Sequence, residues 1–280
     1  MRKPRYRLTV LLAGLAALAA ATVAAAATVV VAPGQTDGWT AVNDTCGAAA
    51  TGSVSFVTGP ASPPAGSGSL QYTVGSNGDS YPRVETGAFN GVALSNLTSL
   101  DYYTYVSHPG SGGQAPYIDL YVDNDNNGTR DDILTFEPIY NPSQGSVALN
   151  TWQHWNALSG LWWSDSMGGP PPLFTLSSYI SSHPNARILP SGGSFILAAG
   201  CGGGAWTSFV GNADRLTVGV GGANTTYDFE ASAPQVRGHG HGQGHGHAGK
   251  VTVCHKGHTI SISRNALPAH LRHGDHLGPC

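Results

Sequence analysis

The stretch PYIDLYVDNDNNGTRDDILTFEP, residues 116–138, sets two apolar arms around the densest acidic loop in the chain. Ile118, Leu120 and Val122 share one face of the first arm, and Leu134 and Phe136 share one face of the second. That period of two belongs to half-buried strands, so the stretch predicts a β-hairpin. Its loop carries Asp123, Asp125, Asn127, Thr129 (through its carbonyl) and Asp131, oxygen ligands at alternate positions, with Gly128 where the chain must turn sharply. Calcium asks for such a donor set. The expectation is a calcium-stiffened hairpin inside a β-sandwich; the alternative is a polar turn whose Asp and Asn side chains bond their own backbone.

On either side of the hairpin, short apolar runs recur between glycine, proline, serine and asparagine. They fall at 53–57, 69–74 and 100–106, then at 152–157, 194–199, 215–220 and 225–230. Frequent short strands with turn signals, together with 39 glycines and 18 prolines, describe an all-β, jelly-roll-like sandwich and not alternating β/α units. Only 173–183 has helical spacing, with Thr175 as cap, Leu176, Tyr179 and Ile180 on one face, and Pro184 as terminator.

The first 27 residues read as a secretory signal peptide, with basic MRKPRYR, an apolar run and small residues suited to cleavage near Ala26 or Ala27. No second apolar run reaches spanning length, so no membrane span is expected after cleavage. Residues 28–234 form the expected sandwich domain, 235–249 a Gly/His linker with too few apolar residues for a core, and 250–280 a small hairpin-and-helix unit. Residues 28–236 hold 15 acids against 4 bases, a balance of −11 that argues against nucleic acid as a partner.

Four cysteines in an exported chain predict disulfides. Position favours Cys46 with Cys201 and Cys254 with Cys280, because each segment then staples itself. The tail bridge contributes about 3.5 kcal/mol in the chain-entropy model. In the tail, His270 and His273 lie three apart on one helix face with Asp275 just beyond, and His255 or His258 completes a set suited to zinc or copper. A zinc site using thiolates and the Cys254–Cys280 bridge exclude one another. The linker histidines His239, His241, His245 and His247 bind soft divalent ions in the manner of a purification tag.

Three resemblances extend this reading. The loop DxDxNGxxD resembles the calcium loops of dockerins, thrombospondin type 3 repeats and EF-hands, departing where Leu134 replaces the bidentate glutamate. The main domain resembles β-sandwich carbohydrate-binding modules through PPAGSGSLQYTV (63–74), LDYYTYV (100–106), GNADRLTVGV (211–220) and TTYDFE (225–230). That resemblance implies glycan binding on a concave sheet face or an edge loop. The tail resembles a C-terminal module of secreted bacterial proteins, CHxx…HTxxVS…AxxAHLxHGDxxGxC. Cys254, His255, His258, Ala269, His270, Leu271, His273, Gly274, Asp275, Gly278 and Cys280 match it.

Sugar binding needs flat aromatic faces, and Trp162, Trp163 and Tyr103 are the expected platforms, one of the two tryptophans facing the core and the other outward. Glu85, Glu137, Asp165, Asp214 and Glu230 supply carboxyls without a recognisable catalytic arrangement, and no G-x-S-x-G elbow occurs. The expected function is therefore non-catalytic, extracellular binding of glycan or cell-envelope material. A metal-binding protein acting through its histidine-rich tail is the alternative, and a glycan-active hydrolase a third.

Overall fold

The computed structural model describes residues 27–47, 51–233, 250–263, 266–272 and 274–280. All of the expected signal peptide but its last residue, the Gly/His linker and His273 lie outside the described residues. In chain order the strands begin with β1 (Ala27–Val31), β2 (Trp39–Thr45), β3 (Ser53–Thr58), β4 (Gly68–Thr73), β5 (Ser80–Thr86) and β6 (Leu97–His108). The hairpin follows as β7 (Tyr117–Asp123) and β8 (Asp132–Phe136), then β9 (Trp152–Asn156), β10 (Leu161–Ser164) and β11 (Phe174–Thr175). Helix α1 (Leu176–Ser182) precedes β12 (Arg187–Ile188), β13 (Phe195–Ala198), β14 (Val210–Val220) and β15 (Ala223–Phe229). The C-terminal unit contains β16 (Lys250–His255), β17 (His258–Ser263), α2 (Leu267–Arg272) and β18 (His276–Leu277).

These strands build two sheets in a sandwich-like arrangement. The first holds seven strands. β14 lies between β6 on one edge and β4 and β15 on the other, with β9, β3 and β1 outermost. The second holds eight, in the order β11-β10-β8-β7-β13-β5-β2, with β12 also on β7. Alternation decides which side chains meet between them. Ile118, Leu120, Val122, Leu134, Phe136 and Leu197 face inward from the second sheet, and Leu70, Tyr72, Leu100, Tyr102, Trp155 and Phe229 from the first, all fully or almost fully buried. Each such side chain contributes about 1.5–3 kcal/mol by leaving water. Polar ends in this core are matched: the Tyr72 hydroxyl donates across the sandwich to the Leu197 carbonyl (3.1 Å), Tyr102 to the Pro116 carbonyl (2.8 Å), and the Trp155 indole N–H to Thr104 Oγ1 (2.8 Å).

The hairpin forms as its alternation predicts, with Leu120 opposite Leu134 and Asp119 opposite Thr135. Thr175 caps α1, its Oγ1 accepting the Ser178 N–H (3.2 Å), and Leu176 and Tyr179 are the buried face. Both expected disulfides are present, Cys46–Cys201 and Cys254–Cys280. In the C-terminal unit, Lys256 (φ 49°) and Gly257 (φ 79°) make the two-residue turn between β16 and β17, a pair of left-handed residues that matches strand twist. No helix among the described residues is long and apolar enough to cross a membrane.

Candidate functional site

The outward row of the second sheet is the unusual part of the fold. Pairing places Thr40, Glu85, Ile196, Asp119, Thr135 and Trp163 in one cross-strand line. In the flanking rows, Tyr117 and Tyr121 lie on either side of Asp119 along β7, and Glu137 follows Thr135 past the end of β8. An outward face normally meets water, yet Asp119, Thr135, Tyr81, Tyr117 and Glu137 are all buried. Loops cover them: the glycine-rich segment from Gly200 to Trp206, anchored by Cys46–Cys201, and the proline loop at Pro170. Between sheet and loops lies a cleft of about 490 Å³, within the range of small-molecule sites.

Its walls are aromatic and its floor acidic. Tyr81, Tyr121, Tyr140 and Trp163 line it together with Asp119, Glu137 and Asp165. Asp119 accepts from the Tyr81 hydroxyl (2.7 Å) and from Thr135 Oγ1 (2.6 Å). Burial nonetheless lifts its carboxyl to about 6, against the pull of those two donors. Burial likewise lifts Glu137 to about 7, although the Trp163 indole N–H donates to its Oε2 (3.0 Å). Asp119 and Glu137 are diagonal neighbours in the ladder, so their backbones stand roughly 7–8 Å apart. Gln114 Oε1, in a side chain buried at the cleft wall, finds no hydrogen-bond partner among the described residues.

The predicted glycan platforms separate. Trp163 lines this cleft. Trp162 is fully buried in the core, its N–H donating to the Ala157 carbonyl (2.8 Å), so it presents no face to a ligand. Tyr103 stands on the outer face of the other sheet, tilted against His154 (ring centroids 4.9 Å apart) with the Arg215 guanidinium over its ring. Tyr103 and Trp163 therefore occupy opposite sides of the sandwich and do not form one site. Of the candidate carboxyls, Glu137 and Asp165 reach the cleft. Asp214 is instead buried against the backbone N–H groups of Ala65 and Phe229, and Glu230 accepts from Ser67. Glu137, just past the end of β8, is buried although strand ends usually leave a carboxylate in water.

The acidic loop brings Asp123, Asp125 and Asp131 together, with one carboxylate oxygen of each within 4.8 Å of the others. The same carboxylates hold the turn. Asp123 accepts the backbone N–H groups of Asn127 (3.1 Å) and Gly128 (2.8 Å), and Asp131 that of Asn124 (2.7 Å). Burial acts to raise Asp123, but these backbone donors outweigh it and keep the carboxyl below its ordinary range. The Asn127 side-chain oxygen Oδ1 accepts from the backbone N–H and the hydroxyl of Thr129. Asp132 turns away from the loop and is buried among the hydroxyls of Ser164, Ser166 and Tyr179. Arg130, in the loop, lies over the ring of Tyr121 (4.8 Å), which ties the loop to the cleft wall.

In the C-terminal unit, His255, His270 and Asp275 converge. His258 faces His255 across the hairpin but is exposed and stands outside that cluster. The chain matches no protein-family model, no curated protein and no solved structure at a significant level.

Proposed function

We propose that this chain is an exported, non-catalytic binding protein for glycan or cell-envelope material, and that the cleft on the second sheet is its sugar site. The carrying observation is a cleft that sets the Trp163 and tyrosine faces beside the carboxyls of Asp119, Glu137 and Asp165. A sugar presents apolar ring faces to aromatic planes and hydroxyl donors to carboxylate acceptors, and hydrogen bonds to charged groups contribute about 1.5–3 kcal/mol each. Two cystines fit an oxidising compartment. Calcium at Asp123, Asp125 and Asp131, with Asn127 and the Thr129 carbonyl, suits the oxygen donor set and stiffens the rim that carries Arg130 against Tyr121.

The test is a glycan array of the chain followed by titration calorimetry of the best oligosaccharide. Trp163→Ala is expected to weaken binding about 30-fold or more, the effect of a central aromatic anchor, while Tyr103→Ala on the opposite face leaves it unchanged. Equal loss in both variants, or no retained glycan, refutes the assignment.

A second reading has its own observation. Asp119 and Glu137, both lifted by burial, line one cleft as diagonal neighbours in the ladder, and glycoside hydrolysis uses a pair of carboxyls facing one cleft. Glu137→Gln separates the two readings: bound glycan that is cleaved by the parent chain and spared by the variant means hydrolysis, and binding without cleavage in both means a lectin-like role.

A further inference from the structure

The C-terminal unit carries a side-chain cluster that the cleft does not use. Three elements deliver it: His255 ends β16, His270 lies in α2, and Asp275 follows Gly274 just before β18. Nδ1 of His255 and Nδ1 of His270 each lie 2.6 Å from the same oxygen, Oδ2 of Asp275. We propose that His255, His270 and Asp275 form a binding site for a divalent transition-metal cation of the zinc class.

The donor set is the first support. Two imidazole nitrogens and a carboxylate oxygen are ligands of zinc, whereas calcium and magnesium take oxygen alone. Cys254, the residue before His255, is held in the disulfide with Cys280 and supplies no thiolate, so the site is of the nitrogen and oxygen type.

Convergence is the second. Donor atoms of a four-coordinate ion at 2.0–2.1 Å stand about 3.4 Å apart. Each histidine nitrogen therefore has to draw back from Asp275 by under about 1 Å to admit the ion. The side chains permit it: His255 and His270 are 33% and 24% exposed, while Asp275, at 4%, is the fixed member. The open histidine side admits an ion and leaves a fourth position for water.

The backbone around Asp275 is braced, which is the third support. Gly274 adopts φ 86°, a left-handed turn that brings the chain back after the helix. The Asp275 N–H then bonds the His270 carbonyl (3.2 Å), and the Gly278 N–H bonds the Thr252 carbonyl on β16 (2.8 Å). Cys254–Cys280 closes the same unit. Three ligands from separate elements are thus held together before any ion arrives, which removes part of the ordering cost of binding.

The test has to silence the linker, whose histidines take up metal independently. The full chain with His239, His241, His245 and His247 replaced by asparagine is stripped with chelator and titrated with zinc. One equivalent is expected, with His255→Asn and His270→Asn each weakening uptake by about 100-fold, at the upper end of effects seen for groups that support a metal. Cobalt(II) loaded into the linker-substituted chain is expected to give the visible absorption of a four-coordinate ion. That spectrum reads an intact C-terminal unit, so it decides the matter even where a histidine variant fails to fold. The proposal is overturned if the linker-substituted chain takes up no zinc, if the two variants bind as tightly as their parent, or if cobalt keeps the spectrum of the hydrated ion.

Discussion

Replacing Glu137 by glutamine tests the dryness of the cleft directly. Burial raises this carboxyl from 4.5 to about 7, so the folded chain holds the proton more tightly than the unfolded chain does. Its contribution to stability is complete below about pH 4.5 and is lost as pH rises through 7. The full loss is about 3 kcal/mol, since each tenfold gain in proton affinity on folding corresponds to about 1.4 kcal/mol. Glutamine keeps an oxygen able to accept from the Trp163 N–H and carries no charge, so E137Q escapes the penalty. For a domain of this size 1 kcal/mol moves Tm by about 2–4 °C. E137Q should therefore melt about 6–12 °C above the parent at pH 8, with the gap opening between pH 4.5 and 7 and flat above. Thermal melts followed by near-ultraviolet circular dichroism across pH 4 to 8.5 measure it. A difference that does not change with pH would falsify the idea that this carboxyl is desolvated, and with it the closed form of the cleft.

Two other outcomes follow from the hairpin. Calcium at about 100 times its Kd should stabilise the sandwich by about 2.7 kcal/mol, read as a rise in Tm that magnesium does not reproduce and that Asp125→Asn removes; no shift at millimolar calcium dismisses the site. Asp132→Ala removes the buried acceptor of the Ser164 and Tyr179 hydroxyls and of the Ser166 N–H and should cost about 2–3 kcal/mol in urea unfolding, whereas a cost under about 1 kcal/mol means that water replaces the carboxylate.

The architecture was legible wherever one face of a strand is apolar and the other is not. Ile118, Leu120 and Val122, or Leu134 and Phe136, announce their strands because the sandwich buries one face of each. Other strands gave no such signal. In β2 only Trp39 is buried, so WTAVNDT reads as polar loop. β5 contains Pro82, a residue that argues against a paired strand, yet its carbonyl still accepts the Ala199 N–H (3.1 Å). The cleft was hidden for a different reason. Asp119 and Glu137 occupy positions that alternation assigns to solvent, and the return of the 200–206 segment and of the loop at Pro170, both far along the chain, makes those positions interior. The nearest sequence signal was the pair Trp162 and Trp163, whose alternation predicts one inward and one outward ring. The tail was the reverse case. Its histidines and Asp275 were conspicuous in the sequence, but which of them meet depends on the turn at Gly274 and on the pairing of β16 with β18.

Cys46–Cys201 lies between β2, at the border of its sheet, and the glycine-rich segment that roofs the cleft. Reduction removes that covalent tie, but the Cys201 N–H still bonds the Ser80 carbonyl (3.0 Å), the Tyr117 hydroxyl still reaches the Gly200 carbonyl (3.1 Å), and Trp206 stays buried. The roof is therefore fastened twice, once by the cystine and once by its own packing, and an oxidising compartment adds only the covalent half.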